Sequence, residues 1–335
     1  MFLHLVFDGV ADGPLGVAVD VLATASRLCR SGVHATPGAQ RRLRQRVVSL
    51  DGKAVRTAAG RKVEVDGAVS LRGLGADDAI VVPGLGAATV AELDALLGRA
   101  DIVHGVSLLR RAAERGVVTA ASCSATFVLA ASGALDGGTA TTTWWLGANF
   151  GRRFPRVTLC TDRMVVTSGQ CFTAGASLAH ADLILALLAR MVSPSLAHTV
   201  ARYLVLDERP SQARYMILGH QLHGVDPTLR TLEAFVVSKL GRQVSVQEMA
   251  RATATSPRTL ARRVAKALGT TPLRFAQRVR IARAVHLLES TSLSVDDIAA
   301  RVGYADAAAF RRVFRRETGD APAARRRRST QGVER

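Results

Sequence analysis

Nowhere in its 335 residues does this chain place two cysteines as a CxxC pair. Cys29, Cys123, Cys160 and Cys171 are scattered, which argues against zinc knuckles and disulfide frameworks and fits a reducing compartment. No leader is expected either: Met1–Val10 carries no basic segment and soon meets Asp8, so a cytoplasmic chain is expected. Long apolar runs are absent. The longest, Leu183–Ala189, lies between Asp182 and Arg190 and is too short to span a bilayer. Acidic residues are scarce, 27 Asp+Glu against 45 Lys+Arg, for a net charge of +18. That excess implies a polyanionic partner, nucleic acid ahead of acidic lipid, unless it merely reflects an Arg- and Ala-rich composition.

What is present is ordinary globular material, 48% hydrophobic and 21% charged, in a length that allows two domains with separate cores. The charge is not evenly spread. Leu232–Arg335 holds 21 basic and 9 acidic residues, so under a third of the chain carries two thirds of the excess. The first two hundred residues alternate short apolar runs (Phe2–Phe7, Ala79–Val82, Val117–Ala121, Met164–Thr167) with helical patterns (Val90–Leu97, Val106–Arg115, Ser124–Ala131). Such alternation predicts a parallel sheet with helices on both faces. Helical patterns continue over Ala176–Met191 and Ser195–Leu206, and polar text at 207–211 and 220–227 marks the passage to a second domain.

From Asp226 onward only helix starts and stops are visible. Asp226-Pro227, Ser256-Pro257 and Thr271-Pro272 open helices, Gly241, Gly269 and Gly319 close them, and Ser245/Glu248 and Ser294/Asp297 have capping-box spacing. Within this all-α region one unit occurs twice. Val246-Gln247-Glu248-Met249-Ala250 matches Val295-Asp296-Asp297-Ile298-Ala299; after the turn, Leu260, Val264, Gly269 and Pro272 match Phe310, Phe314, Gly319 and Pro322. A short capped helix, a tight turn and an Arg-faced second helix make a helix-turn-helix, whose second helix enters the major groove. The helix from Pro272 to about Glu289 would be roughly 27 Å long at 1.5 Å per residue. A rod of that length can hold two reading helices about one DNA turn apart.

In the first reading helix, Arg258, Thr259 and Arg262 occupy the leading face, where Arg can donate two hydrogen bonds to guanine. Ser256, Arg263 and Lys266 complete the candidate contacts there. The second is led by Asp306, Ala307 and Ala308. Its Arg311, Arg312, Arg315 and Arg316 are therefore expected to anchor phosphates while the first unit reads bases. Arg325–Arg328 is either a further phosphate contact or an unstructured basic end.

The text "SPRTLARRVAKALGTTPLRFAQRVRIARAVHLLE" followed by "SVDDIAARVGYADAAAFRRVFRRETGDAP" resembles the DNA-binding domain of AraC/XylS-family transcription regulators, with Val264 where that family usually has Phe. Upstream, "IVVPGLG", "AASCSATFVLAASGALDGGTATTTWW" and "TSGQCFTAGASLAHADLILALLA" resemble the class I glutamine amidotransferase-like, intracellular protease/amidase-type domain. The resemblance implies a flavodoxin-like α/β sensor and dimerisation domain over 1–205. A linker at 206–226, a double helix-turn-helix domain over 227–328 and a tail at 329–335 would follow.

Cys123 follows a strand and precedes a helix, an elbow where a helix start should lower a thiol pKa. In catalytic relatives this cysteine is the nucleophile, and the resemblance implies a histidine partner, often at the position of Thr143 here. The acid expected near the first strand is not evident either: Asp8 is followed by Gly9-Val10-Ala11-Asp12-Gly13-Pro14. No spacing ties His104 or His180 to Cys123. The expectation is therefore a non-enzyme with a vestigial elbow. Its rival is a cysteine-dependent amidase or hydrolase fused to a DNA-binding domain. The C-terminal ends of parallel strands suit small ligands, and Gly84, Leu85, Cys123, Ser124, Thr143, Trp144 and Gln170 are the candidate walls. No metal or cofactor is expected. The expected partners are duplex DNA, a small-molecule effector and a second copy of the chain, with RNA polymerase a further candidate and no membrane.

Overall fold

The computed structural model describes the chain except for residues 35–37, 208, 210, 213–214, 216–226, 269 and 332–335, and the side chains of 266–267 and 328–331. It divides into two compact units, Met1–Gln212 and Ala213–Arg335. The expected linker falls largely outside the described residues. Its first part is corrected, because Ser211 and Gln212 belong to the first unit: Ser211 Oγ and Gln212 N both donate to Asp162 O.

In the first unit the strands are β1 (Phe2–Leu5), β2 (Gln45–Val48), β3 (Val55–Arg56), β4 (Lys62–Val63), β5 (Ala79–Val82), β6 (Val118–Ser122), β7 (Thr139–Ala140), β8 (Thr158–Leu159), β9 (Val165–Ser168) and β10 (Cys171–Ala174). Six of them form one sheet in the order β2-β1-β5-β6-β10-β9. All neighbours are parallel save the edge pair β10·β9. Strands β1, β5 and β6 are buried at every position, which explains their unbroken apolar runs: a parallel sheet is covered on both sides. Side chains alternate between those sides. Leu3, Leu5, Ile80 and Val82 join one core with α3 (Val90–Leu97), α4 (Ala100–Glu114) and α5 (Ala125–Ala131). Phe2, Ala79 and Val81 join the other, with α1 (Asp12–Arg30), α7 (His180–Met191) and α8 (Pro194–Tyr203). Short helices α2 (Ala39–Arg42) and α6 (Gly147–Arg153) complete the unit.

The expected strand at Met164–Thr167 is found as the antiparallel edge β9, one residue later. Strand β2 went unread because Gln45 and Arg46 break its apolar run, and β10 because glycines flank it on both sides.

The second unit is helical: α9 (Pro227–Ser238), α10 (Val246–Ala252), α11 (Pro257–Leu268), α12 (Pro272–Ser290), α13 (Val295–Arg301), α14 (Ala307–Thr318) and α15 (Pro322–Gln331). Both capping boxes form, at Ser245/Glu248 and Ser294/Asp297, and Gly319 closes α14 at φ +80°. Gly269, read as a stop, lies outside the described residues. Two separate cores are built here. Leu229, Leu232, Val236, Met249, Leu260, Val264, Phe275 and Val279 make the first; Ile281, Ala284, Leu288, Ile298, Phe310 and Phe314 make the second. The repeated pairs Leu260/Phe310 and Val264/Phe314 thus fill equivalent places, all fully buried. Among the described residues no helix is long and apolar enough to cross a membrane.

Helix α4 can lie close to β1's extension only because Gly105 has no side chain: a Cβ there would stand 2.5 Å from Phe7 Cζ. Gly105→Ala should therefore overpack the sheet–helix core and cost roughly 1–3 kcal/mol. The chain's two tryptophans, Trp144 and Trp145, both lie in this unit, so a lowered urea midpoint by tryptophan fluorescence would register it. An unchanged midpoint would refute the close approach.

Candidate functional site

The first candidate site is the Arg-bearing face of the helical unit. Helix α11 begins at the Ser256 cap, whose Oγ accepts from Thr259 N at 3.2 Å and donates to Thr259 Oγ1 at 3.0 Å. Both hydroxyls are thus engaged in starting the helix, and Thr259 is only half-exposed. Arg258 and Arg262, one turn apart, are exposed, and among the described residues neither makes an ion pair. Arg263 turns back to Thr228 Oγ1 on α9, away from that leading pair. The Lys266 side chain lies outside the described residues.

Helix α14 differs. Its arginines are exposed, but Arg311 pairs with Asp296 at 2.5 Å and Arg312 stands 3.9 Å from Asp306. Arg316 reaches Gln277 Oε1 at 2.6 Å and Glu317 at 3.2 Å. Glu317 is almost buried and also faces Arg274 and Arg278. Arg315 alone of the four has no ion pair among the described residues. Asp306 itself caps α14, accepting from Ala308 N and Ala309 N, so the leading turn offers no long donor. Exposed pairs of this kind contribute only about 0–1 kcal/mol, and a phosphate can exchange with them. Arg325–Arg328 is not an unstructured end: it lies within α15, with Arg325 bonded to Glu289 at 2.8 Å.

The second candidate site is the elbow after β6. Cys123 has φ +54°, a left-handed conformation that costs a non-glycine residue energy and persists only when its surroundings hold it. They do. Its N–H donates to Ala174 O and Gly175 O, and its carbonyl accepts from Thr126 Oγ1 at 2.6 Å and Thr142 Oγ1 at 3.0 Å. Gly84 lies close opposite: a Cβ there would stand 3.1 Å from Cys123 Cβ. Ser124 Oγ donates to Leu85 O at 2.6 Å and accepts from Leu85 N at 3.0 Å, which ties the "PGLG" loop to the elbow. Leu85, Cys123, Ser124, Thr143 and Trp144 are all buried, so this wall is closed over. The Thr143 hydroxyl is buried against the Cys123 thiol, with no other hydrogen-bond partner among the described residues.

Two expectations are corrected here. Burial pushes the Cys123 thiol up, outweighing the hydrogen bonds that favour the thiolate; a start on a seven-residue helix does not compensate for lost water. Gln170 is not a pocket wall. It sits in the β9–β10 turn, its carbonyl accepting from Thr119 N and its side chain near Gly116 O, at the opposite end of the sheet from Cys123.

The remaining machinery is engaged elsewhere. Asp8 Oδ1 accepts from Arg56 N at 2.7 Å, and His104 is exposed on α4. His180 is fully buried with Nδ1 2.8 Å from Ser122 Oγ, and its Nε2 has no partner among the described residues. Burial holds the His180 pKa down to about 3, and His4, whose Nε2 meets Gln45 Oε1, down to about 4.

One residue of this region was not read from the sequence at all. Gln212, 1% exposed, donates through Nε2 to Thr141 Oγ1, Thr142 O and Thr161 O and accepts from Ala176 N. Nothing in its polar neighbourhood distinguishes it in sequence from the segment that follows.

Comparison with known proteins adds the following. A family model described as DJ-1/PfpI family matches residues 3–190, and one described as a helix-turn-helix domain matches 249–328. The HTH-type transcriptional regulator GbdR of Pseudomonas aeruginosa (strain UCBPP-PA14) is 27% identical over 281 residues, 83% of this chain and 73% of that protein. The HTH-type transcriptional regulator GlxA of Rhizobium meliloti (strain 1021) is 29% identical over 238 residues, 69% of this chain and 71% of that protein. The crystal structure of Drosophila melanogaster DJ-1beta aligns at TM-score 0.48 and 20% identity, over 62% of this chain and 98% of that one.

The two buried histidines make the first unit acid-sensitive. Both are neutral when folded, with pKa values of about 3 and 4, and regain an ordinary value near 6.5 on unfolding. The unfolded chain therefore binds more protons below pH 6.5, and stability falls as pH drops from there towards 4. Each histidine should cost about 2 kcal/mol by pH 5. Urea midpoints followed by tryptophan fluorescence at pH 7 and pH 5 check this, and the loss should shrink in His180→Gln. Equal wild-type midpoints at both pH values would contradict it.

Proposed function

The chain belongs to the DJ-1/PfpI family, and on that footing we propose that it is a transcription regulator whose helical unit grips duplex DNA through two helix-turn-helix modules. The observation that carries this is the pair Arg258 and Arg262, exposed one turn apart at the capped start of α11, beside a second module of the same design. Guanidinium groups with no carboxylate to leave are ready to meet a base edge. On α14, Arg311, Arg312 and Arg316 must first exchange Asp296, Asp306 or Glu317, and Arg315 sits behind a leading turn that offers no long donor, so the part of all four is phosphate anchoring. The names of the similar proteins, GbdR and GlxA among them, agree with a regulator.

The first unit serves as the sensor. Its elbow is read as a binding feature and not a reacting one: burial keeps the Cys123 thiol protonated, and His180 is engaged with Ser122. The Thr143 hydroxyl, buried with only the weak Cys123 thiol as a partner among the described residues, is the group in this wall left for a ligand's hydrogen bond. A cytoplasmic homodimer is the assembly in which two such chains would meet a promoter.

A duplex enriched by the full chain from a random pool supplies the probe. Arg258→Ala or Arg262→Ala should weaken it by roughly 1–3 kcal/mol and relax one base position, whereas Arg315→Ala should weaken all duplexes alike and lower the salt slope by about one. Uniform weakening in Arg258→Ala and Arg262→Ala would move these residues to the phosphates. Iodoacetamide at pH 7 should modify Cys123 far more slowly than an exposed thiol. Rapid labelling, with turnover of an amide substrate lost in Cys123→Ala, would restore the hydrolase reading.

A further inference from the structure

Helix α12 belongs to both cores of the helical unit. Phe275, Ala276 and Val279 enter the first, and Ile281, Ala284 and Leu288 enter the second. At about 100° per residue these two stripes are centred roughly 160° apart around the helix. Arg280 lies where one stripe ends and the other begins. It is 3% exposed, which for an arginine in the middle of a helix requires a specific reason. Its Nη2 donates to the carbonyl of Arg242, in the turn that joins α9 to α10.

That same turn is laid against the second module. Gln243 Nε2 donates to Gly303 O at 3.0 Å. Gly303, in the turn between α13 and α14, has φ +82°, and a Cβ there would stand 2.4 Å from Leu240 O and 3.2 Å from Arg242 N. The turn that leads into the first helix-turn-helix module and the turn inside the second are therefore in direct backbone contact. Arg280 fastens the near side from within the shared helix. A helix alone resists bending well but lets its two ends rotate about its axis through small changes at every residue. A second point of attachment away from that axis stops the rotation.

We propose that the contact of the Leu240–Gln243 turn with Gly303, fastened by Arg280, sets the angle between α11 and α14 and so the spacing of the two DNA boxes the chain accepts. Arg280, Gln243 and Gly303 are positioning residues. The inference rests on the proposed two-module reading of DNA. One inserted base pair moves a box by about 3.4 Å along the duplex and turns it by roughly a tenth of a circle, which a fixed pair of heads cannot follow.

The test uses the full chain and its own selected duplex, compared with the same duplex carrying one base pair inserted between the boxes. Wild type should lose roughly tenfold or more in affinity on insertion, the cost of about one mismatched contact. Gln243→Ala changes an exposed side chain and should fold normally; Gly303→Ala is the stronger perturbation. Both should bind the uninterrupted site more weakly, lose little further on insertion, and bind a single-box duplex like wild type. A merely destabilised protein would weaken on every probe in proportion. If Gln243→Ala and Gly303→Ala keep the wild-type ratio between the two duplexes, the clasp does not set spacing, while two-module reading stands. If the wild type selects no duplex, or one with a single box, the two-module reading falls and the clasp with it.

Discussion

The helical unit depends on one helix serving two cores. Each module alone is too small to bury a full core: a short capped helix and a reading helix leave one apolar side open. Helix α12 closes both, presenting Phe275 and Val279 to one and Ile281 and Leu288 to the other. This makes the two modules a single mechanical object. It also explains why α12 shows no single amphipathic stripe in sequence, since its apolar residues are distributed over opposite sides. The burial of Arg280 follows from the same constraint: the position between two stripes faces neither core nor open water.

In the first unit the deciding contest is between a helix start and the loss of water. The β6–α5 junction has the geometry that activates a cysteine elsewhere: a left-handed φ, a helix beginning just after it and a strained turn held by threonine hydroxyls. What is missing, among the described residues, is solvent and a counter-charge. With Leu85, Ser124, Thr143 and Trp144 closed around it, the sulfur stays protonated. The strain at this junction is held by the hydrogen bonds around it, and the side chain it presents is buried.

Much of this was legible from pattern. The parallel sheet was readable because β1, β5 and β6 are covered on both sides and hence uninterrupted in hydrophobicity. Both modules were readable because caps at Ser245 and Ser294 and the Leu260/Phe310 and Val264/Phe314 pairs recur. Where reading failed, a tertiary cause can be named. Gln170 follows the Met164–Thr167 run, which in a wholly parallel sheet would end near the elbow; that strand is antiparallel, so its end lies at the far end of the sheet. The thiol's direction was misjudged because a helix start is visible in sequence and the burial above it is not. Strand β2, half-polar, is recognisable only once β1 is beside it. The exposed pair Arg258/Arg262 was foreseen, whereas the ion pairs that occupy Arg311 and Arg312 depend on where Asp296 and Asp306 fold back.

Gln212 and Gly175 carry a consequence for how such chains diverge. A Cβ at position 175 would stand 2.2 Å from Gln212 Oε1, so any side chain there evicts the carboxamide and strands the Ala176 amide and the carbonyls of Thr142 and Thr161 that it satisfies. Drift at either position alone is penalised; only a joint exchange escapes. Descendants of this sequence should keep glycine and glutamine as a linked pair, thirty-seven residues apart, and a homologue that has lost one should have lost the other.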